Sequence, residues 1–387
     1  MTPYLALILA LVVLAGILLI LEIRRKNMHI WLPAYISRKK RPKHEGPTHI
    51  MFCFVDHFEP RWSNADYETE VRRVNRWIEQ YPKIAGKHKD ADGCYPKHCF
   101  YYPEEEYRKE HLEKIEHLCK KGFGEIEIHL HHHNDTEAGL RKKLSRFTQN
   151  LHQTHGALSI WPESGKLAWG FVHGNWALDN SEADGSNCGI NNELIILEEE
   201  GCYADFTLPS APSATQTAKI NSIYYAKDDP QQPKSHNEGQ DVTVDRAPWG
   251  DLMIVQGPLM LNWRNRKWGL LPRIENADIR ANHPPTADRI ALWVEAGIHV
   301  QGRPEWVFIK IHTHGTQESD MDALLGDPVD AMFSELENHY NDGENYVLHY
   351  VSTRETYNII KAAENGKTGN PHAYRDYILP PPAYNRN

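Results

Sequence analysis

The sequence lacks Cys-x-x-Cys pairs, and it lacks an excess of positive charge. Its cysteines stand singly, at Cys53, Cys94, Cys99, Cys119, Cys188 and Cys202. This spacing excludes a zinc-finger module and favours free buried thiols over disulfides. The 387 residues include 43 basic and 52 acidic side chains, a formal charge of −9. A chain with this charge has no general attraction to nucleic acid, so nucleic acid is not an expected partner.

Histidine and tryptophan, by contrast, are abundant, with 23 and 11 residues. Imidazole is the commonest metal ligand in proteins, and the faces of Trp rings are platforms on which sugar rings lie. The 40% of hydrophobic residues is enough for a real core. Composition therefore indicates a folded domain in which metal and carbohydrate chemistry are worth testing.

The only long apolar run is at the N-terminus, from Tyr4 to Leu21. A helix of this length crosses most of a hydrocarbon core that is roughly 30 Å thick. No basic residue precedes the run, as a signal peptide would require, whereas Arg24, Arg25 and Lys26 follow it. We therefore predict an uncleaved transmembrane helix over residues 4–23, which makes this a single-pass protein of the cell (inner) membrane.

The segment 24–47 is basic and contains three prolines, which predicts a juxtamembrane linker. Because all the basic residues near the span follow it, the positive-inside rule places the soluble domain in the cytoplasm.

Residues 48–366 alternate between strand-like and helix-like patterns. The apolar run from His49 to Val55 is typical of a buried parallel strand, and Val71, Val74, Ile78 and Tyr81 then recur at helical spacing. This alternation continues downstream and predicts an α/β domain with a parallel sheet or barrel. Residues 209–285 interrupt the alternation of strands and helices. They are interpreted as an insertion on the face of the domain that carries the reactive residues. Residues 367–387 are interpreted as a C-terminal tail.

The most specific local pattern is His129-Leu-His-His-His133, at the end of an apparent strand. His129 and His133 are four residues apart, so both rings can reach one ion from a helical turn or tight loop. If the strand continues, His129, His131 and His133 share one face instead. The alternative interpretation is a solvated His-rich loop.

Two further polar clusters follow predicted strands. One is Asp56-His57-Phe-Glu59, and the other contains His312 and His314. Reacting groups project from the carboxyl ends of parallel strands, so separate clusters can meet in one pocket. The alternatives are a helix cap or salt bridge for Asp56 and buried structural imidazoles for the histidine pair. A fourth strand-end loop, with His173, Asn175 and Trp176, suits binding of a polyhydroxylated ligand, although Asn and Gly are also ordinary turn residues.

Taken in order, these clusters resemble the NodB-type polysaccharide deacetylases of carbohydrate esterase family four. The segment His129 to His133 resembles the family's His-[Ser/Thr]-x-x-His motif, with Leu130 in place of Ser or Thr. Phe54-Val-Asp56-His57 resembles the strand that ends in Asp-Asp, and His312 or His314 resembles the late Leu-x-His motif. The family's arginine-containing middle motif has no counterpart here. The loop around His173 occupies its place in the order of motifs but does not share its composition.

The resemblance implies a distorted (β/α) barrel behind the transmembrane helix. It implies a divalent metal, with Zn²⁺ favoured, held by His57, His129 and His133. It also implies Asp56 as the general base and His312 or His314 as the acid that protonates the departing amine. His57 stands where the family has a metal-binding Asp, so Asp56 or Glu59 remains open as a further ligand. The implied reaction is removal of N-acetyl groups from an amino-sugar polymer or glycan precursor.

Two other functions remain open. A phosphoesterase or amidohydrolase would use the same kind of His/Asp clusters, although a two-metal site needs more carboxylates than the sequence places near His129. A non-catalytic carbohydrate-binding or scaffold protein would explain the imperfect first motif. In each case the membrane is contacted through the N-terminal helix.

Overall fold

The computed structural model describes residues 3–385. The helices are α1 Pro3–Arg25, α2 Met28–Ser37, α3 Tyr67–Ala85, α4 Lys109–Lys120, α5 Glu137–His155, α6 Glu193–Glu199, α7 Ala287–Ala296, α8 Glu318–Leu324, α9 Asp327–His339 and α10 Thr353–Glu364. The strands are β1 Thr48–His57, β2 His98–Pro103, β3 Gly124–Leu130, β4 Ser159–Ile160, β5 Leu167–His173, β6 Cys202–Asp205, β7 Ile223–Ala226, β8 Gln240–Asp241, β9 Leu252–Val255, β10 Met260–Lys267, β11 Leu271–Glu275, β12 Trp306–Thr313 and β13 Tyr346–Tyr350.

One large, mostly parallel sheet organises the chain, in the order β12-β1-β2-β3-β5-β6-β9-β7-β8. Strand β13 pairs with the first half of β1, and β2 pairs with the second half. The short strand β4 pairs with β5. The alternation of strand and helix predicted from the sequence is therefore confirmed as a mixed α/β fold.

The predicted barrel is wrong, because the sheet does not close within residues 3–385. At one end, β7 runs antiparallel to both β8 and β9. Beyond β12 and β8 the chain contributes only isolated bridges, at Asp278–His312 and Thr243–Gln301. A closed barrel needs a continuous ladder between its first and last strands, and two single bridges do not supply one.

Strand β1 lies at the centre of the packing because both of its faces are buried. Ile50, Phe52 and Phe54 belong to the core beneath α3, α4 and α5. Met51, Cys53 and Val55 alternate with them and belong to a second core that includes residues of α10. Side chains alternate across a strand, so a continuous apolar run is what burial on both faces requires.

The N-terminal helix α1 is long and apolar enough to cross a membrane, with a mean hydropathy of 3.1 in its most apolar window. None of that window is buried against the rest of the protein. Within the segment predicted as a juxtamembrane linker, α2 occupies residues 28–37. Trp31 and Tyr35 of α2 pack against Leu259, Met260 and other residues of the soluble domain.

The segment predicted as an insertion and the predicted C-terminal tail both contact the rest of the fold. Residues 209–285 contain β9, which pairs with β6 in the main sheet. The C-terminal segment packs back through Arg375, which donates to the carboxylates of Asp90, Asp92 and Glu355. All six cysteines are free, and all except Cys94 are buried.

Candidate metal centre

The carboxylate of Glu59 lies among histidines from three strand ends. Its Oε1 is 3.3 Å from His129 Nε2 and 3.1 Å from His131 Nε2, and its Oε2 is 3.2 Å from His314 Nδ1. Strands β1, β3 and β12 are parallel or linked through parallel neighbours, so their carboxyl ends share one edge. The convergence of strand-end clusters at one place thus follows from the sheet topology.

Two sets of donor atoms meet at Glu59. One set is Glu59 with His129 and His131, and the other is Glu59 with His57 and His314. Within each set the ligand atoms lie within 4.8 Å of one another. The His57 ring also packs against His129 and His314, with ring centroids 4.8 and 4.6 Å away. Glu59 is therefore the residue common to both sets.

Outer partners fix the orientation of two of these imidazoles. His129 Nδ1 donates to the carbonyl oxygen of Val172 at 2.7 Å, and His131 Nδ1 donates to Glu105 Oε1 at 2.5 Å. With Nδ1 protonated in this way, the lone pair of a neutral ring is on Nε2, which in both residues faces Glu59. This arrangement of an outer acceptor, an imidazole and an inward lone pair is typical of metal-ligating histidine. The donor set therefore fits a divalent ion.

The charges at the cluster are set by these contacts. Burial raises the pKa of Glu59, but hydrogen bonds from His129, His131 and His314 outweigh it and hold the pKa well below its ordinary value. Burial lowers the pKa of His131, but its bonds to Glu105 and Glu59 outweigh that effect and raise it to about 10, so a bound cation would have to take the place of the proton on His131 Nε2. Burial, together with the charges of His314 and His129, holds the pKa of His57 well below its ordinary value.

A cleft of about 270 Å³ opens onto this cluster. Its wall combines aromatic, basic and amide side chains with the histidines. The residues around it are His57, Glu59, Trp62, His131, Asn175, Trp176, Arg280, His314 and Gln317. A polar cleft with a few aromatic faces is suited to a polar ligand that has a stacking surface, such as a sugar.

The structure brings some predicted residues together and separates others. His57, His129, His314, Asn175 and Trp176 lie at the cluster or line its cleft.

His133 does not join the cluster: its ring is exposed and accepts a hydrogen bond from the backbone N–H of Asn187. The neighbouring His131 occupies the position that the four-residue spacing predicted for His133.

Asp56 and His312 are buried close to the cluster but belong to neither donor set. Both Asp56 oxygens are engaged, one by His98 Nε2 at 2.7 Å and the other by the backbone N–H of Gly315 at 2.5 Å. Successive residues of a strand face opposite sides, so His57 points to the cluster and Asp56 does not contact it. His173 lies in a different group of side chains.

That second group consists of His132, His173, Cys188 and Glu193, all buried and with ligand atoms within 4.8 Å of one another. These four residues could hold a metal ion. The sequence pattern indicated His132 only as part of the histidine run. Cys188 and Glu193 carry no local signal, because their proximity to His132 depends on how the loop after β5 folds.

Arg280 and Glu105 were also missed from sequence. Arg280 belongs to the segment interpreted as an insertion, and its Nε donates to Asp278 Oδ2 at 2.8 Å while the residue lines the cleft. Glu105 is one of three consecutive glutamates after β2, and nothing in that run marks the one that reaches His131.

No model of a known protein family matches the sequence, and a comparison with curated proteins finds no match.

Proposed function

We propose that this protein is a metal-dependent hydrolase whose metal is held by Glu59, His129 and His131. The observation that carries the proposal is the pair of imidazoles whose Nδ1 atoms are fixed by Val172 and Glu105 while their Nε2 atoms converge on one carboxylate oxygen. A divalent ion bound there would act as a Lewis acid, polarising a carbonyl and activating a water molecule.

The chain's own residues then have distinct roles. Glu59 and the two fixed imidazoles would hold the ion, and Glu105 would keep His131 in the tautomer that can bind it. His57 makes no side-chain hydrogen bond among the described residues and lines the cleft, so it is placed to accept a proton from the attacking water. His314 Nε2 is buried without a hydrogen-bond partner in the same part of the chain, so it is placed to protonate the departing group.

Asp56, predicted as the base, is better suited to positioning. Its bond from the Gly315 N–H ties β1 to the turn that carries His314. We therefore assign proton transfer to His57 and His314 rather than to Asp56 or His312.

For the substrate we propose an N-acetylated amino sugar, and the reaction removes the acetyl group. The support is the two indole side chains, Trp62 and Trp176, at the cleft. Indole faces can stack against a sugar ring, while Asn175 and Gln317 supply amide groups for its hydroxyls.

A matched pair of variants tests the hydrolase. His131→Ala removes a proposed ligand, whereas His133→Ala removes an exposed imidazole two residues away. With the full chain in detergent micelles, we expect His131→Ala to lose about one equivalent of divalent metal and to stop releasing acetate from N-acetylglucosamine oligomers. His133→Ala should retain both. Equal metal content and equal activity in the two variants would exclude this site.

A two-metal phosphoesterase is the second candidate, for one specific reason. The two donor sets share Glu59, whose two oxygens face different histidines, so the residues around Glu59 would hold two ions. Arg280 at the cleft would suit a phosphate group. A loss of two equivalents in Glu59→Gln, with turnover of a phosphate monoester and no release of acetate, would favour this function over deacetylation.

A further inference from the structure

We infer that His132, His173, Cys188 and Glu193 form a closed zinc site that is separate from the cleft and serves a structural role. The inference does not depend on the hydrolase proposal, because none of the four residues lines the cleft.

Hydrogen-bond acceptors converge at the centre of this group. His173 Nδ1 donates to the carbonyl oxygen of Gly174 at 2.6 Å, so its Nε2 carries the lone pair in a neutral ring. His132 Nδ1 is 3.2 Å from the Asp135 carboxylate but makes no hydrogen bond among the described residues, whereas its Nε2 faces His173 and Glu193. The two Nε2 atoms are only 2.8 Å apart. Two lone pairs at this separation repel unless a cation or a proton lies between them.

Glu193 adds a third acceptor to the same point. Its Oε1 is 3.0 Å from His132 Nε2 and 3.4 Å from His173 Nε2. Its Oε2 accepts from the backbone N–H of Asp179 at 2.6 Å, which fixes the orientation of the carboxylate. The Cys188 sulfur is 3.6 Å from Glu193 Oε2. The group thus offers two imidazole nitrogens, one carboxylate and one sulfur, a donor set that suits tetrahedral Zn²⁺.

The group is completely buried. The side chains of His132, His173 and Glu193 have no exposed surface, and Cys188 is equally buried. A catalytic zinc keeps one position open for water or substrate, whereas a structural zinc is enclosed by four protein ligands. The burial therefore indicates a structural ion.

The position of the site explains what such an ion would stabilise. His132 follows β3, His173 ends β5, Glu193 begins α6, and Cys188 lies in the irregular loop between β5 and α6. His131 and His132 are adjacent but contribute to different groups. An ion at the closed site would therefore fix the backbone that presents His131 to Glu59.

Cys188 makes the closed site spectroscopically distinct, because no cysteine is present in the cluster around Glu59. The test is the absorption spectrum of the full chain loaded with Co²⁺ in place of Zn²⁺. We expect a thiolate-to-cobalt charge-transfer band that is lost in Cys188→Ser. The band should persist in Cys94→Ser, which changes a cysteine outside all the donor sets, and in His131→Ala, which changes only the open cluster.

X-ray absorption of the zinc-loaded wild-type protein keeps the test independent of variant folding. One sulfur at about 2.3 Å from zinc is expected. A folded protein that binds zinc or cobalt without any sulfur ligand would overturn the closed site, and the hydrolase proposal would be unaffected. A wild-type protein that shows the sulfur ligand but releases no acetate would support the closed site and overturn the hydrolase proposal.

A different observation carries a second proposal, that the β10–β11 hairpin lies in the membrane interface. Its exposed apolar side chains are Trp263, Trp268 and Leu270, which are 52%, 75% and 74% exposed. Trp side chains favour the boundary between hydrocarbon and headgroups. The same hairpin carries Arg264, Arg266, Lys267 and Arg273, which would attract anionic lipid headgroups.

The location of the hairpin identifies the lipid surface as its occupant. Lys267 Nζ is 3.7 Å from Glu22 Oε1, and Glu22 lies in the last turn of the apolar helix α1. The exposed indoles are thus at the end of the candidate span, where a helix that crosses the membrane leaves the hydrocarbon.

Quenching by brominated lipids tests this contact. In proteoliposomes of the full chain, brominated acyl chains should quench part of the Trp fluorescence, and Trp263→Phe/Trp268→Phe should remove that part. Trp249→Phe, which changes a partly exposed indole outside the hairpin, should leave it unchanged. An identical quenched fraction in the hairpin variant and the wild type would exclude insertion of the hairpin.

Discussion

At the residue scale, the chemistry of the cluster depends on partners one contact away from the proposed ligands. When a carboxylate or carbonyl oxygen accepts a hydrogen bond from the Nδ1–H of a histidine, the opposite nitrogen becomes a better metal ligand. The same bond holds the ring in one orientation. Glu105 does this for His131, and the carbonyl of Val172 does it for His129. The first of these partners can be changed by mutation.

Glu105→Gln should weaken metal binding by about 10- to 100-fold without unfolding the protein, because an amide is a poorer acceptor for His131 Nδ1. Competition with a chelator of known affinity measures the change. Glu110→Gln, an exposed glutamate at the start of α4, is the control and should bind metal as the wild type does. Unchanged affinity in Glu105→Gln would show that His131 does not bind the ion.

At the element scale, the turns that follow the strands set the geometry of the site. Gly174 follows β5, and a Cβ atom there would lie 2.3 Å from Cδ2 of the His131 ring and 2.8 Å from the carbonyl oxygen of Leu130. The close approach of this turn to His131 requires a residue without a side chain.

Gly174→Ala should therefore displace His131 and reduce both metal affinity and hydrolysis, while far-ultraviolet circular dichroism stays as in the wild type. Gly165→Ala is a useful comparison, because that turn is open and its Cβ would meet nothing within 4 Å. It should cost only backbone strain at a positive φ of 71°. Wild-type metal affinity in Gly174→Ala would contradict the close packing of this turn on the ligand.

At the scale of the whole molecule, a buried ionic network joins the C-terminal segment to the sheet and to α10. Glu355 caps the start of α10 and also pairs with Lys97 and Arg375. Burial raises its pKa, but the charges of Lys97, Arg375 and Arg354 outweigh burial and lower the pKa from 4.5 to about 2. Because the folded pKa is the lower one, the carboxylate stabilises the fold above pH 4.5, and this contribution is lost as the pH falls toward 2.

Glu355→Gln should accordingly destabilise the protein at pH 7 by about 3–5 kcal/mol, since it leaves buried cations without their partner. The difference from wild type should shrink as the pH is lowered from 4.5 toward 2. Denaturant unfolding across this range measures it. Glu344→Gln, in the exposed turn before β13, should behave as wild type throughout, and a pH-independent difference for Glu355→Gln would exclude an ionic origin.

The membrane side of the domain is also a property of the whole molecule. If the apolar helix α1 crosses a membrane, the basic residues after it predict a cytoplasmic domain. A C-terminal fusion to a reporter that works only in the cytoplasm should therefore be active. Activity of a fused reporter that works only in the periplasm would contradict the predicted orientation.

The sequence by itself determined the elements whose pattern is local. The apolar run of β1, the helical spacing of α3 and the length of α1 are each visible within a few turns of chain, because burial sets their periodicity. The sequence also predicted that polar strand ends would meet, and it identified His57, His129 and His314 as residues to examine.

Only the tertiary structure decided which neighbours in the histidine run share a site. His131, His132 and His133 are consecutive but have different surroundings, because their side chains leave the turn after β3 in different directions. His131 lies at Glu59 and His132 lies at Cys188. His133 is exposed. The order of the strands, with β12 and β8 at the two ends of an open sheet, likewise depends on pairing between distant segments. No local pattern in the sequence predicts that order. Glu105, Glu193 and Arg280 reach their positions only through contacts between segments that are distant along the chain.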